Sequence, residues 1–395
     1  MPSKAKTTKR MTKPAVVSLF SGIGGLELGC AANGRPTALT CELETHAHEV
    51  LKAQFPNADH HRDVKHITLD DLPSRADTIT AGFPCQDLSQ AGQMAGLQGK
   101  RSSLVSHVFR LAKAPQIKHV ILENVPFMLK LDQGAAMRSL ARRLNTHGFM
   151  WAYRVIDSRA FGLAQRRRRV FLVASREFDP SHRLFQDDCG TPAVLTEPSQ
   201  YVGFYWTEGN TGIGWTENAI PTLKVGSAMG IPSPPAIWRK KQDDIVTPGI
   251  QDAEALQGFT RGWTRAARSN QSDRYRWRLV GNAVSVDSAI WAARMLDTKD
   301  QELTLPSSLL HTQSGWPTAG FGGPGKKTRT VDVSEFPEFR TQSLGRFIRA
   351  PKPLSERATA GFRSRYLRSK LKKREAFMNA LTQHLGVMRS EPSMA

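Results

Sequence analysis

Cys85 stands in the middle of Gly82-Phe83-Pro84-Cys85-Gln86-Asp87-Leu88-Ser89-Gln90-Ala91-Gly92. The stretch follows residues 77–81, which read as a short buried strand. Pro84 fixes its own φ and biases Phe83 toward extended backbone, so the thiol is held on a stiff loop, as suits a nucleophile. The competing reading is a buried structural thiol, since free cysteine is among the most buried residue types. Glu123 ends the next apolar run, 118–122. A carboxylate at the carboxyl end of a central strand lies on the ligand side of an open α/β sheet, so Cys85 and Glu123 should face one crevice. Further on, Gln165-Arg166-Arg167-Arg168-Arg169 leads directly into an apolar strand. Alternation along extended chain puts Gln165, Arg167 and Arg169 on one face, and Arg166 and Arg168 on the other. A phosphate-binding basic run is the alternative.

The elements that position these residues begin near residue 14. Residues 15–20 form a buried-strand run, followed by the glycine loop 21–29 and a helical pattern. Strand, glycine loop and helix make the nucleotide-binding turn of a doubly wound sheet. Gly22 and Gly24 fit the dinucleotide fingerprint, but Glu27 occupies the third glycine position and would crowd helix–strand packing, which disfavours NAD. The loop still offers N–H groups to a small anion. The next strand, 36–41, ends in Glu42, placed to reach ribose hydroxyls, with Glu44 as competitor. Residues 45–55 read as a helix, and Asp63 is a candidate adenine contact. His46, His48, His60, His61 and His66 lack cysteine and carboxylate partners at ligand spacing, so no metal is expected. Residues 96–104 form a polar loop. Helices are expected over 103–114 and 131–147, and a strand over 151–158.

With 395 residues the chain can build one large domain and a smaller one. The four cysteines show no CxxC spacing, so neither a disulfide framework nor a zinc site is expected, and a reducing cytoplasm fits. No apolar run is long enough to span a membrane, and the N-terminal residues are polar and basic rather than a secretory signal. The net charge of +20 points to a polyanion, most often nucleic acid. Half of it lies in residues 326–395, with sixteen Lys or Arg against six Asp or Glu. Residues 1–13 form a basic arm expected to be disordered.

The ordered set Phe20-Ser21-Gly22-Ile23-Gly24-Gly25, Pro84-Cys85-Gln86, Glu123-Asn124-Val125 and Gln165-x-Arg167-x-Arg169 resembles the DNA (cytosine-5) methyltransferases of the bacterial restriction-modification type. The resemblance continues at residues 254–259 and at Gly281-Asn282-Ala283-Val284, and covers roughly 14–298. Two departures stand out: Pro248-Gly249-Ile250-Gln251 replaces the family's usual Arg-x-Leu-Thr, and Thr260 replaces a proline. The resemblance implies a doubly wound, Rossmann-like α/β sheet that uses S-adenosyl-L-methionine, with a smaller loop-rich β target-recognition domain. It implies that Cys85 attacks carbon 6 of a flipped-out cytosine in duplex DNA. Glu123 then serves ring nitrogen 3, Arg169 the ring carbonyl, and Arg167 the Cys85 loop or a phosphate. Phe20, Ser21, Gly22, Gly24, Gly25, Glu42, Asp63, Pro84, Asn282, Ala283 and Val284 are assigned to the cofactor, and Gln86, Ser89 and Gln165 to DNA. For Asn282 a Gly-Asn turn before a helix is the alternative. An RNA (tRNA) cytosine-5 methyltransferase is the rival activity. Further expectations are a bacterial, cytoplasmic, nucleoid-associated enzyme, monomeric on DNA, with a restriction endonuclease acting at the same site.

Residues 176–246 change character, mixing glycines and prolines with Trp206, Trp215 and Trp238, and read as the small β module. Lys224, Arg239, Lys240 and Lys241 are candidate phosphate contacts there. The reading thus divides the chain into 1–13 (arm), 14–175 (catalytic and cofactor domain), 176–246 (recognition), 247–299 (return to the catalytic domain) and 300–395 (basic extension). Residues 300–361 read as loop and linker. Residues 363–385 read as one helix, either a brace docked on the body or a DNA contact.

Overall fold

The computed structural model describes residues 13–84, 104–226, 232–268, 272–299, 306–310 and 315–390. Its centre is a sheet that starts from the β-branched run of β1 (Ala15–Leu19). β2 (Thr37–Cys41) and β4 (Ala76–Ala81) flank β1, with β3 (Asp59–His61) outside β2 and β5 (His119–Asn124) outside β4, all pairings parallel. The strand order reverses between β1 and β4. That is the switch point of a doubly wound sheet, where a ligand crevice opens beyond the carboxyl ends.

Beyond β5 the sheet turns antiparallel. β6 (Met150–Asp157) and β8 (Arg168–Ser175) follow, with the two-residue β7 (Gln165–Arg166) between them in sequence but paired elsewhere. Because β8 runs against β5, its first residues lie beside the last residues of β5: Glu123 pairs with Phe171 and Asn124 with Val170. The start of one strand is thereby brought to the end of another.

α1 (Gly25–Ala32), α2 (Thr45–Gln54), α3 (Leu104–Leu111) and α4 (Ala135–Thr146) cover the sheet, and α1 crosses a late helix closely. A Cβ at Gly29 would lie 2.5–2.7 Å from backbone and side-chain atoms of Ala289, so only glycine permits that crossing. One core, including Val17, Leu39, Ile79, Val120 and Trp151, lies on one side of the sheet. A second, including Val16, Ile121, Phe171 and Trp291, lies on the other.

The smaller sheet is built from β9 (Tyr201–Phe204), β10 (Thr216–Glu217), β12 (Ala236–Arg239) and β13 (Asp244–Thr247). β11 (Ile220–Pro221) pairs instead with β7, tying the module to the catalytic body. The chain then returns through α5 (Ile250–Leu256), α6 (Arg274–Asn282) and α7 (Val286–Arg294), the helix that meets Gly29.

Residues 300–361 differ from the loop-and-linker expectation. β14 (Ser307–Leu309), β15 (Ala319–Gly323) and β16 (Lys326–Val331) extend the main sheet to ten strands, β15 pairing with β6. Ala-Gly-Phe-Gly-Gly reads as loop because glycine is depleted in strands. Here the glycines make room for β6: a Cβ at Gly322 would sit 2.6 Å from the Trp151 ring, and one at Gly323 2.4 Å from the sulfur of Met150.

The expected single helix over 363–385 is two. β17 (Lys352–Pro353) adds an edge to the small sheet beside β13. α8 (Glu356–Arg368), capped by the Ser355 hydroxyl, and α9 (Glu375–Ser390) then pack on it. Phe362, Tyr366, Phe377 and Leu381 share one buried core with Val202, Phe204, Trp238 and Ile245. The docked-brace reading therefore holds for the apolar stripe. No helix among the described residues is long and apolar enough to cross a membrane.

Candidate active site

β1 ends in a sharp reversal. Phe20 adopts φ 56°, Gly22 57° and Gly24 93°, a left-handed run that β-branched residues could not follow. The Ser21 hydroxyl donates to the Ser18 carbonyl and accepts from the Cys41 N–H, so the loop is tied to both β1 and β2. Glu42, just past β2, accepts from the Gly22 N–H at 2.8 Å and from the Glu44 N–H at 2.8 Å. Burial holds its carboxyl above the usual range. Glu44, its competitor in the sequence, caps α2 through the Ala47 N–H and pairs with Arg278.

Glu27 is accommodated where glycine was expected. It is fully buried, neither of its oxygens finds a hydrogen-bond partner among the described residues, and burial pushes its carboxyl up to about 7.

These elements enclose a cavity of about 510 Å³, within the range of small-ligand sites. Its wall includes Phe20, Ser21, Gly22, Gly25, Glu42, Asp63, Pro84, Glu123, Arg169, Asn282, Ala283 and Val284, so eleven of the named positions plus Glu123 meet in one crevice. Gly24 lies behind the wall, where a Cβ would strike the ring of Phe55 at 2.4 Å. Gly22 has nothing within 4 Å of where a Cβ would be, and a Cβ on Gly82 would approach Glu123 at 3.6 Å and the Phe20 carbonyl at 3.9 Å. Glycine at both positions keeps the space open. Asp63 caps a single turn by accepting from the Lys65 N–H at 3.0 Å. Cys85, Gln86 and Ser89 lie outside the described residues; Pro84, which precedes Cys85, lines the cavity.

Glu123 and Arg169 face each other there, Nε to Oε1 at 2.9 Å. Burial raises the Glu123 carboxyl, and the guanidinium groups of Arg169 and Arg167 pull against that shift. Arg169 is lowered from its ordinary value, first by burial, with Glu123 opposing. The pair is thus an acid and a cation poised at one end of the cavity, able to donate to and neutralise charge developing on a ring.

The other members of the arginine segment have different positions. Burial alternates as the sequence implies: Gln165 and Arg167 are inside, and Arg168 is exposed and paired with Glu335. Arg167 is 1% exposed, so no phosphate can reach it. Its guanidinium donates to the carbonyls of Ala283 at 2.7 Å, Gly281 at 3.2 Å and Leu223 at 3.5 Å, the first two being residues of the cavity wall. Gln165 is fully buried and cannot meet DNA. Its amide donates to Leu256 and Gln257, and its oxygen accepts from the Leu223 N–H. Gln257 in turn donates to the Val280 carbonyl at 2.7 Å and accepts from the Ser285 hydroxyl. Gln165, Arg167 and Gln257 together clamp the 280–285 wall in place.

Glu254, one turn earlier, is fully buried and accepts from Thr264 and from Arg276. These supporting roles were readable only as motif positions. Their signal, polar residues in an apolar setting, does not say whether a side chain faces a ligand or a neighbouring loop.

Lys224 pairs with Glu208, Arg239 with Asp244 and Lys240 with Glu217, so three of the four candidate phosphate contacts carry a carboxylate partner. Among the described residues, no group of three or more His, Cys, Asp or Glu side chains gathers as a metal site.

Residues 15–197 match the family model described as C-5 cytosine-specific DNA methylase. The chain is 42% identical over 381 residues to the type II methyltransferase M2.BsuMI of Bacillus subtilis, covering 93% of this chain and 97% of that protein. It is 34% identical over 164 residues to M.BsuFI of Bacillus subtilis, which covers 42% of this chain and 40% of that one. In fold it is similar to the crystal structure of S. pombe Dnmt2 methyltransferase, with a TM-score of 0.54 and 15% identity over 72% of this chain and 99% of that one. The chain therefore belongs to the C-5 cytosine-specific DNA methylases and transfers a methyl group from S-adenosyl-L-methionine to carbon 5 of cytosine in DNA.

Proposed function

We propose that this enzyme methylates one cytosine within a specific duplex sequence through a covalent adduct on Cys85. The observation that carries the reading is the Glu123–Arg169 pair at 2.9 Å on the wall of a cavity that also includes Pro84, the residue before Cys85.

The cavity suits S-adenosyl-L-methionine. The glycine loop leaves space at Gly22, Glu42 presents a carboxylate toward ribose hydroxyls, and Asp63 lies on the same wall. Phe20, Ser21, Gly25, Asn282, Ala283 and Val284 complete the holding set, with Gly24 shaping the loop from behind the wall. When bound, S-adenosyl-L-methionine supplies a methyl group made electrophilic by its sulfonium.

The protein's part begins with the Cys85 thiolate. Its sulfur forms a bond to carbon 6 of cytosine, and the ring's electron pair shifts so that carbon 5 becomes enamine-like and nucleophilic. Negative charge grows on the ring as this bond forms. Protonated Glu123 donates to ring nitrogen 3, and Arg169 donates to the ring carbonyl; both interactions strengthen as charge develops. Once carbon 5 carries the methyl group, water takes the carbon 5 proton, the carbon–sulfur bond breaks with its electron pair going to sulfur, and Glu123 recovers the proton from ring nitrogen 3, which returns the aromatic ring and the Cys85 thiolate. Arg167 acts at one remove, by holding the 281–283 wall.

The target base has to leave its stack, at a cost of a few kcal/mol. The module over 176–246 is the part read as recognising sequence, with Gln86 and Ser89 near the flipped base. A restriction endonuclease cutting the same sequence is the partner this reading implies, the enzyme itself acting as a monomer on DNA in a bacterial cytoplasm.

The test is trapping with duplex DNA carrying 5-fluorocytosine, in which fluorine replaces the carbon 5 proton and cannot leave as a cation, so the thiolate is not eliminated. Wild-type protein should form a covalent adduct stable in denaturant, and Cys85→Ala should form none while still binding DNA. An adduct that persists in Cys85→Ala would overturn the assignment.

A further inference from the structure

Between Glu356 and Glu375 the chain carries eight Lys or Arg and no carboxylate residue. Elsewhere in the small module, three cations are neutralised internally: Lys224 by Glu208, Arg239 by Asp244 and Lys240 by Glu217. In the connector from the end of α8 to the start of α9 this balance stops. Arg365, Lys373 and Arg374 fasten the connector to the module. Arg365 donates to the carbonyls of Trp206 at 2.8 Å and Glu208 at 3.1 Å, Lys373 to those of Ser369 and Leu371, and Arg374 lies 4.3 Å over the Trp215 ring. Arg368, Lys370 and Lys372 are exposed, and among the described residues none has a carboxylate within ion-pair distance.

The connector is joined to the crevice by a short series of contacts. Gly281 lines the cavity and packs on the backbone of Lys224, where a Cβ would fall 2.8 Å from its carbonyl. The Lys224 ammonium sits 3.8 Å over the Tyr205 ring and pairs with Glu208, whose carbonyl receives Arg365. Lys224, Tyr205 and Glu208 therefore link the cavity wall to α8, the helix that leads into the connector.

We propose that Arg368, Lys370 and Lys372 form a backbone clamp for duplex DNA, gripping phosphates beside the module that reads the sequence. The inference rests on duplex DNA as substrate and on residues 176–246 as the recognition module. Fixed, outward-facing ammonium and guanidinium groups on a braced support give affinity and register without base readout. The buried aromatic stripe of α8 and α9 is the brace, and the connector is what the brace presents.

The test uses the full-length chain with Arg368→Gln, Lys370→Gln and Lys372→Gln combined, and binding to duplex DNA by fluorescence anisotropy between 50 and 200 mM salt. The slope of log affinity against log salt should become shallower by about 0.9 per lost contact. For three contacts, the affinity ratio between the two salt concentrations then shrinks about 40-fold. The methylated sequence, read by bisulfite sequencing, and the melting temperature should stay as in wild type. Lys370→Gln alone should take about 0.9 from the slope, which keeps the test decisive if the triple variant folds poorly. An unchanged slope overturns the clamp, as does a loss of affinity confined to tRNA or a change in the sequence methylated. If wild-type protein itself shows no duplex binding, the substrate reading beneath the proposal fails instead.

Discussion

In the parallel half of the main sheet, chemistry follows the strands. The glycine loop comes after β1, Glu42 after β2, Pro84 after β4, and Glu123 closes β5. In the antiparallel half, β8 contributes from its beginning, because reversed direction sets Arg168 to Val170 beside the end of β5. Beyond β8 the half-sheet is packing: β6 inserts Trp151 and Tyr153 under a glycine-rich β15. A parallel strand offers a site one loop per strand, each loop free to vary. The antiparallel strand offers it a single rigid approach, with Arg169 on β8 facing the cavity and Arg167, just before the strand begins, buried behind the wall.

The comparison is broken most severely at Glu123. Glu123→Gln keeps a hydrogen-bonding group and loses the acidic proton, so turnover should fall about 100- to 1,000-fold with a smaller change in cofactor affinity. Turnover within a few-fold of wild type at neutral pH would mark Glu123 as structural. The pH profile sharpens the point. Burial keeps Glu123 protonated to higher pH than an exposed glutamate, so activity that needs the proton declines as pH rises through that raised value. Arg169 opposes the shift, so Arg169→Leu should lower turnover yet move the alkaline limb upward; a limb that moves down would contradict the coupling.

Arg167→Ala should act mainly on stability. It leaves the carbonyls of Ala283 and Gly281 without their donor inside the protein, at roughly 3 kcal/mol, read as a lowered midpoint in urea. Arg167→Lys cannot fork between both carbonyls and should recover only part. A full-strength midpoint with selectively lost turnover would instead place Arg167 in the chemistry. The smallest effect is expected at Gly322→Ala, in the antiparallel half. The methyl group meets the Trp151 ring, costing about 1–2 kcal/mol of stability, while binding of S-adenosyl-L-methionine, measured by calorimetry, should be unaltered.

In the parallel half β1, β2, β4 and β5 were legible in the sequence to within a residue or two, because they are continuous apolar runs that end in a glycine loop or an acid, whereas the polar β3 was not read as a strand. Glu42 and Glu123 could be named for the same reason, whereas the role of Arg169 came from the family resemblance. Gln165 could not be separated from its neighbours: burial by α5 depends on a contact with residues 256 and 257, far along the chain. β15 was hidden because its glycines answer to Trp151 and Met150 on another strand, although Pro324-Gly325 before the basic run was a usable hairpin signal. The helix break at residues 369–374 was hidden by an apolar spacing that continues across it. Glu27 shows the opposite case, a side chain accepted where close packing argued against one.

The small module borrows its last strand and both covering helices from residues 352–390, more than a hundred positions after β13 began its sheet. During synthesis the chain emerges from its N-terminal end, so every residue lining the cofactor crevice, α5 to α7 included, is already present if growth stops near residue 300, whereas the module still lacks an edge strand and half its core. A nascent or prematurely ended polypeptide should therefore display the apolar underside of β9, β12 and β13 to whatever chaperone or protease is nearby. The module would be completed only once residues 352–390 are made, and loss of that stretch would be sensed as misfolding before it was sensed as missing methylation.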